Sequence, residues 1–421
     1  MPVISLAEVD NVLGTSTLPP PQLPTTEASS VAQYRQFIRA RLAEPLFVET
    51  LAKELLPFVV QRPIMPRALV QGKTRDGRAF YYRSIPCPSS QLTSVRPWWD
   101  LTTSVLICRD EYRPTVLYSS DHTTECTSPT SPTFGCGCGP FLLFCARDAK
   151  QKAVLDAAVY EEVLLTLKHV IDTRRPLSDL LTMNETVRSG YGDFYYARTE
   201  FLLHGDPAVL AIRLDAPPTL KPRPPQYGGG LLSMPGLLYA DSARRVIMML
   251  LWSDLLCLPF RSVNVEPHVL IDAARDKPAL RSESHEELTV TPGCQNCHSR
   301  LEYGLRAFAG WSFGQIGTSY DPKRTVASTR FYGADHTDLR DEGPATPAWL
   351  GAEFVSQPEF AACMVHKVGE LVFEGEPVPG ALSRYLRAEF ARTQDLATLV
   401  EDTLIARTFG LATLSRGTAS N

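Results

Sequence analysis

Proline interrupts this chain so often that few long, unbroken elements are open to it. Thirty-four of the 421 residues are proline, against an average usage of about one in twenty. Each one lacks a backbone N–H and fixes φ, so it ends helices and stays out of central strands. Two clusters divide the sequence. Residues 15–30 (TSTLPPPQLPTTEASS) are rich in Pro, Thr and Ser, and residues 1–30 read as a disordered tail or linker. Residues 216–230 (APPTLKPRPPQYGGG) hold five prolines and three glycines and read as the best domain boundary.

The segments between these clusters are patterned. From Tyr34 to Leu56 the apolar residues Phe37, Ile38, Leu42, Leu46, Leu51, Leu55 and Leu56 recur at loose helical spacing, and Pro57 ends the run. Residues 79–85, 104–108 and 115–118 read as short strands. From Asp156 to Asp172 one apolar stripe carries Val159, Val163, Leu164, Leu167, Val170 and Ile171. Residues Ala243–Leu256 are apolar nearly all round, which predicts a buried helix. Residues 321–349 are rich in Asp, Gly and Pro and read as irregular. The last 70 residues are expected to be helical. There Pro358 opens a helix with Phe360, Cys363, Met364 and Leu371 on one face, and Asp395 caps a final one. The expected domains are 31–215, helical with a Cys-rich β insertion, then 231–320, then a helical 345–421.

Composition excludes some classes. Hydrophobic residues make up 44% and charged residues 21%, with a net charge of −4. No basic stripe invites nucleic acid, and no Lys/Arg cluster invites an anionic membrane surface. The longest apolar run, Val246–Leu258, is broken by Ser253 and Asp254 and is too short to cross a bilayer core of about 30 Å. No transmembrane segment is expected. Met1–Gly14 lacks the basic start and apolar core of an export signal.

The chemistry-bearing residues are the cysteines. Cys294-Gln295-Asn296-Cys297-His298 fits the CxxCH pattern of c-type haem attachment. Two thiols at this spacing can form thioethers to the two vinyl edges of a porphyrin. The adjacent His298 then lies under the iron and offers a ring nitrogen as proximal ligand. With ten Cys and eight His, chance placement yields such a motif about 0.5% of the time. Two other readings stay open: a zinc site, which needs a second pair of ligands, and a disulfide or unligated thiols. Met364 is the candidate sixth iron ligand, with a core role competing for it. His366, His285, His268 and His336 are the other imidazoles considered. The cluster Cys126, Cys136, Cys138 and Cys145 reads as disulfides, with metal binding or free thiols as alternatives. If haem takes two cysteines, eight remain, enough for four disulfides. Glu161-Glu162 and Glu286-Glu287 read as solvated helix faces. No enzyme nucleophile is evident.

Four stretches resemble a known family. They are EEVLLTLKHVIDTRRPLSDLLTMNETVRSGYG (161–192), GGLLSMPGLLYADSARRVIMMLLWSDLLCLP (229–259), TPGCQNCHSRLEYGLRAFAGW (291–311), and the pair LGAEFVSQPEFAACMVHKVGELVFEG (350–375) and DLATLVEDTLIARTFG (395–410). Their order is similar to that of the multidomain cytochrome-c-like proteins of planctomycetes and myxobacteria, whose activity is not established. The resemblance runs from about residue 160 to 410. It implies haem c, here bound through Cys294, Cys297 and His298, and export to the periplasm or cell surface; the function expected first is electron transfer, or service as redox partner of another protein. It also implies a disulfide between Cys257 and Cys363, where the family too carries Cys. The chain departs from the family after the haem His: Leu301 replaces a frequent Met, Glu302-Tyr303 stands for Asp-Pro, and Gly304-Leu305 for Leu-Gly. The fold expected is mainly α, with helical domains around a cytochrome-c-like haem segment and a small Cys-rich β-containing N-terminal part. The competing functions are a haem-free binding or structural protein held by disulfides or zinc, and a haem enzyme with an open sixth position.

Overall fold

The computed structural model describes residues 27–42, 44–57, 67–82, 86–109, 138–238, 244–258, 295–312, 319–320, 322–332 and 339–409. Helices dominate it. The expected helical run over 34–56 divides in two, α1 (Glu27–Leu42) and α2 (Pro45–Leu55). Pro45 causes the break: it takes the first position of α2, where its missing N–H leaves nothing unpaired. Tyr34, Ile38 and Leu42 of α1 and Phe47, Val48, Leu51 and Leu55 of α2 are buried.

A small sheet follows in the order β2-β3-β5-β4, from β2 (Val70–Lys73), β3 (Ala79–Tyr82), β4 (Leu92–Val95) and β5 (Val105–Cys108). It is preceded by the two-residue β1 (Arg67–Ala68), which pairs with β6 (Cys145–Ala146). The strands expected at 79–85 and 104–108 are thus present as β3 and β5, and that at 115–118 lies outside the described residues. Two disulfides staple this part, Cys87–Cys108 and Cys138–Cys145. Leu69, Val95, Ile107, Cys138, Leu142 and Cys145 form a satellite core of their own.

α3 (Ala149–Asp172) is the longest helix described. Asp148 caps it by accepting from the Gln151 N–H at 2.7 Å, and the Gln151 side chain accepts from the Arg147 N–H at 2.7 Å. This reciprocal arrangement resembles a capping box. The expected stripe faces the core, with Val159, Val163, Leu167, Val170 and Ile171 buried. α4 (Gly190–His204) packs against α3.

The Pro- and Gly-rich stretch 216–230 is largely exposed up to Pro222 and then buries Arg223, Tyr227, Gly229 and Gly230. Its strand β8 (Thr219–Pro222) pairs antiparallel with β7 (Glu185–Arg188), and Tyr227 is fully buried. The Arg223 guanidinium donates to the carbonyls of Met183 at 2.8 Å and Gly230 at 2.9 Å and to the Ser233 hydroxyl at 3.1 Å. Gly230 has φ of 52°, and a Cβ there would lie 2.1 Å from the Leu180 carbonyl oxygen. Only glycine meets both demands. One continuous set of buried side chains runs across this stretch, from Tyr34 to Ala406.

α5 (Arg244–Leu256) buries Ile247, Met248, Leu251, Trp252 and Leu255 but leaves Val246 and Met249 exposed. The expectation of burial all round is therefore corrected. Residues 246 and 249 are three apart, so they share a helix face that nothing described covers. α6 (Gln295–Arg306) packs on α5 and on β11 (Ser328–Tyr332). β11 forms a hairpin with β12 (Leu339–Pro344), so the stretch 321–349 holds more regular structure than its composition suggests. The two-residue strands β9 (Trp311–Ser312) and β10 (Ser319–Tyr320) also pair.

The C-terminal helices are α7 (Pro347–Ser356), α8 (Pro358–Phe373), α9 (Gly380–Thr393) and α10 (Leu396–Phe409). Pro358 occupies the start of α8 as expected, and the Asp395 carboxylate caps α10 by accepting from the Thr398 N–H at 3.0 Å. α8 lies centrally and packs against α2, α5, α7, α9 and α10. Its buried Phe360, Val365, Val368 and Val372 each contribute about 1.5–3 kcal/mol of apolar burial. α10 carries the fully buried Glu401, which pairs with Arg35, Arg39 and Arg174. This ties the first helix described to the last.

Candidate haem-attachment site

α6 begins one residue after Cys294, so Cys297 and His298 stand in its first turn. Cys294 lies outside the described residues. The His298 side chain is one-quarter exposed. Its Nδ1 lies 2.9 Å from Oε1 of Glu302, one turn along the same helix. An ionised carboxylate has only acceptor sites, so facing one Nδ1 is the donor. A neutral imidazole paired in this way keeps its lone pair on Nε2, the state a metal ligand needs.

The rest of α6 holds this pair in place. Leu301 and Phe308 are buried, and Gly304 allows close approach to α5: a Cβ there would lie 2.2 Å from Cε of Met248. The Arg300 guanidinium sits 4.8 Å from the Trp252 ring, whose other neighbours include the rings of Phe331 and Phe354. From β11 the Thr329 hydroxyl donates to the Tyr303 carbonyl. Three residues after His298 thus have defined places. Leu301 fills core space, Glu302 holds His298, and Gly304 is the contact point with α5.

Of the donors a haem c would take here, His298 alone has its side chain among those described. A CxxCH ends in the first turn of a buried-faced helix, and its His is already anchored through the nitrogen a metal would not use. Among the described residues no group of three or more His, Cys, Asp or Glu side chains could hold a metal ion. Cys138 and Cys145 are bonded to each other, and Cys126 and Cys136 lie outside the described residues.

The other sequence candidates fall in several places. Met364 is fully buried on α8, as are Phe360, Cys363 and Val368. His366 is exposed on α8, 3.3 Å from Glu370. His268, His285 and His336 lie outside the described residues. Cys257 and Cys363 are joined by a disulfide, with Cα atoms 5.2 Å apart, the pair that the resemblance implies. It ties the end of α5 to α8.

Two features escaped the sequence reading. The Glu302 partnership has a signal in hindsight, since His and Glu four apart on a helix meet. The second corrects the view of Glu162 as a solvated residue. Its carboxylate is buried and accepts from the Tyr196 hydroxyl at 2.5 Å and the Thr186 hydroxyl at 2.7 Å. Burial pushes the Glu162 carboxyl above its usual range, against the pull of those hydrogen bonds and of Arg223 and Arg188. Burial, reinforced by the neighbouring carboxylate, also raises the Tyr196 hydroxyl well above its usual value. The register explains Glu162: positions 159, 162, 163 and 166 share the inward face of α3, while Glu161 is only half-buried.

Comparison with family models, curated proteins and solved structures returned no match.

Proposed function

We propose that the chain is a c-type haem protein, with haem bonded to Cys294 and Cys297 and ligated by His298, that works as an electron carrier or redox partner outside the cytoplasm. The observation that carries this reading is the His298–Glu302 pair at the start of α6. It leaves Nε2 as the basic nitrogen directly after a CxxC sequence. Haem bound there would supply one-electron chemistry at its iron. The chain's own part is to hold the imidazole in one tautomer and orientation, and to bury the opposite face of α6 against α5 and β11.

Export is supported by the disulfides. Three lie among the described residues, and bonds of this kind persist in oxidising compartments. Among the described residues no helix is long and apolar enough to cross a membrane. The resemblance to the cytochrome-c-like proteins points the same way, and a carrier of this kind would exchange electrons with a redox protein partner.

The test is a pyridine haemochrome spectrum of protein expressed with haem-maturation machinery. The expected result is the spectrum of haem attached through two thioethers, with a reversible one-electron wave in voltammetry. Protein that stays haem-free would overturn the proposal in favour of a disulfide-held binding protein. A high-spin ferric spectrum would replace the carrier role with a haem enzyme open at the sixth position.

A further inference from the structure

We propose that Glu302 is a positioning residue that fixes the imidazole of His298 and lowers the reduction potential of the iron it ligates. The inference rests on the haem reading above and assigns a task to a residue outside the CxxCH motif.

The geometry comes first. Nδ1 of His298 and Oε1 of Glu302 are 2.9 Å apart, within charge-assisted hydrogen-bond range. Both residues belong to α6, four positions apart, so the helix itself sets their separation. Their side chains are 25% and 15% exposed, which limits competition from water and screening by salt.

The electronic consequence follows from the acceptor's charge. A metal-bound histidine hands its second N–H to a carboxylate, a backbone carbonyl or water. Of these only the carboxylate carries a full negative charge, so it draws the Nδ1 proton hardest. Electron density moves through the ring to Nε2, which becomes a stronger donor. A stronger donor stabilises the ferric iron more than the ferrous and so lowers the potential. Glutamine at 302 keeps an acceptor oxygen of the same reach but removes the charge.

The experiment compares holoprotein carrying Glu302→Gln with wild type by spectroelectrochemical titration. At a fixed electrode potential the ferrous-to-ferric ratio is expected to rise about tenfold in the variant, equal to about +59 mV for a one-electron couple. Loosened structure gives the opposite sign, because water reaching the iron favours the more highly charged ferric form. A second measurement needs no haem. Ring 15N shifts of His298 in the haem-free chain are expected to show the Nδ1-protonated tautomer in wild type and a tautomer mixture in Glu302→Ala. A ratio unchanged within twofold in fully haem-loaded variant, or a potential that falls, overturns the inference and leaves the haem reading standing. A tautomer unaltered in Glu302→Ala also overturns it. Wild type that takes up no covalent haem overturns both.

Discussion

The Cys257–Cys363 disulfide should be the most stabilising of the described bridges, because it closes by far the longest loop. The perturbation is the double substitution Cys257→Ala/Cys363→Ala. Cross-linking removes conformational freedom from the unfolded chain in proportion to the logarithm of loop length. For loops of 106, 21 and 7 residues this amounts to about 4.8, 3.3 and 2.4 kcal/mol. Cys363 is buried, so alanine also removes a packed sulfur, worth about 1 kcal/mol. The single substitution Cys257→Ala, which opens the bridge but keeps the buried Cys363 sulfur, separates the two effects. The assay is urea unfolding followed by tryptophan fluorescence, with Trp252 on the helix that Cys257 terminates. The ranking expected is Cys257–Cys363, then Cys87–Cys108, then Cys138–Cys145. If the long-loop variant loses under about 1 kcal/mol relative to wild type, or less than the Cys138–Cys145 variant, the loop-entropy reasoning is wrong.

Two further perturbations probe the packing. Glu162 has its carboxyl raised by burial, so the folded state holds this proton where the unfolded state has released it. Its contribution to stability is present below the unfolded value and is lost as pH rises through the folded one. Glu162→Gln should therefore unfold with a flatter pH dependence across that window, as read by denaturation midpoints at a series of pH values; a slope identical to wild type would contradict this. Gly230→Ala puts a Cβ 2.1 Å from the Leu180 carbonyl oxygen at a φ of 52°. A loss of about 3 kcal/mol or more in the same urea assay is expected, and a loss under about 1 kcal/mol would show that the chain around Gly230 yields easily.

Local signals in the sequence translated well into structure. Pro358 and Asp395 act within one turn of their own positions, so helix starts at 358 and 396 were legible from chemistry alone. The stripe from Val159 to Ile171 was legible because one face of a long helix repeats it. Pro45 was equally local but was hidden inside a loose apolar pattern on both sides. Residues 216–222 are largely exposed, as their composition suggests, whereas Arg223 and Gly230 are buried against Met183 and Leu180, partners that composition does not reveal. Glu162 was illegible because its burial depends on Tyr196 and Thr186, residues brought to it by α4 and β7. At the candidate site the motif was plain, whereas the Glu302 contact needed α6 to exist before spacing acquired meaning.

The most direct measurement is the mass of one tryptic fragment. Cleavage after Arg281 and Arg300 releases Ser282–Arg300, which contains Cys294, Cys297 and His298. In protein expressed with haem-maturation machinery, that fragment should carry the added mass of one haem, and the addition should vanish in Cys294→Ser/Cys297→Ser. The unmodified peptide mass, or haem mass on any other fragment, would contradict the account.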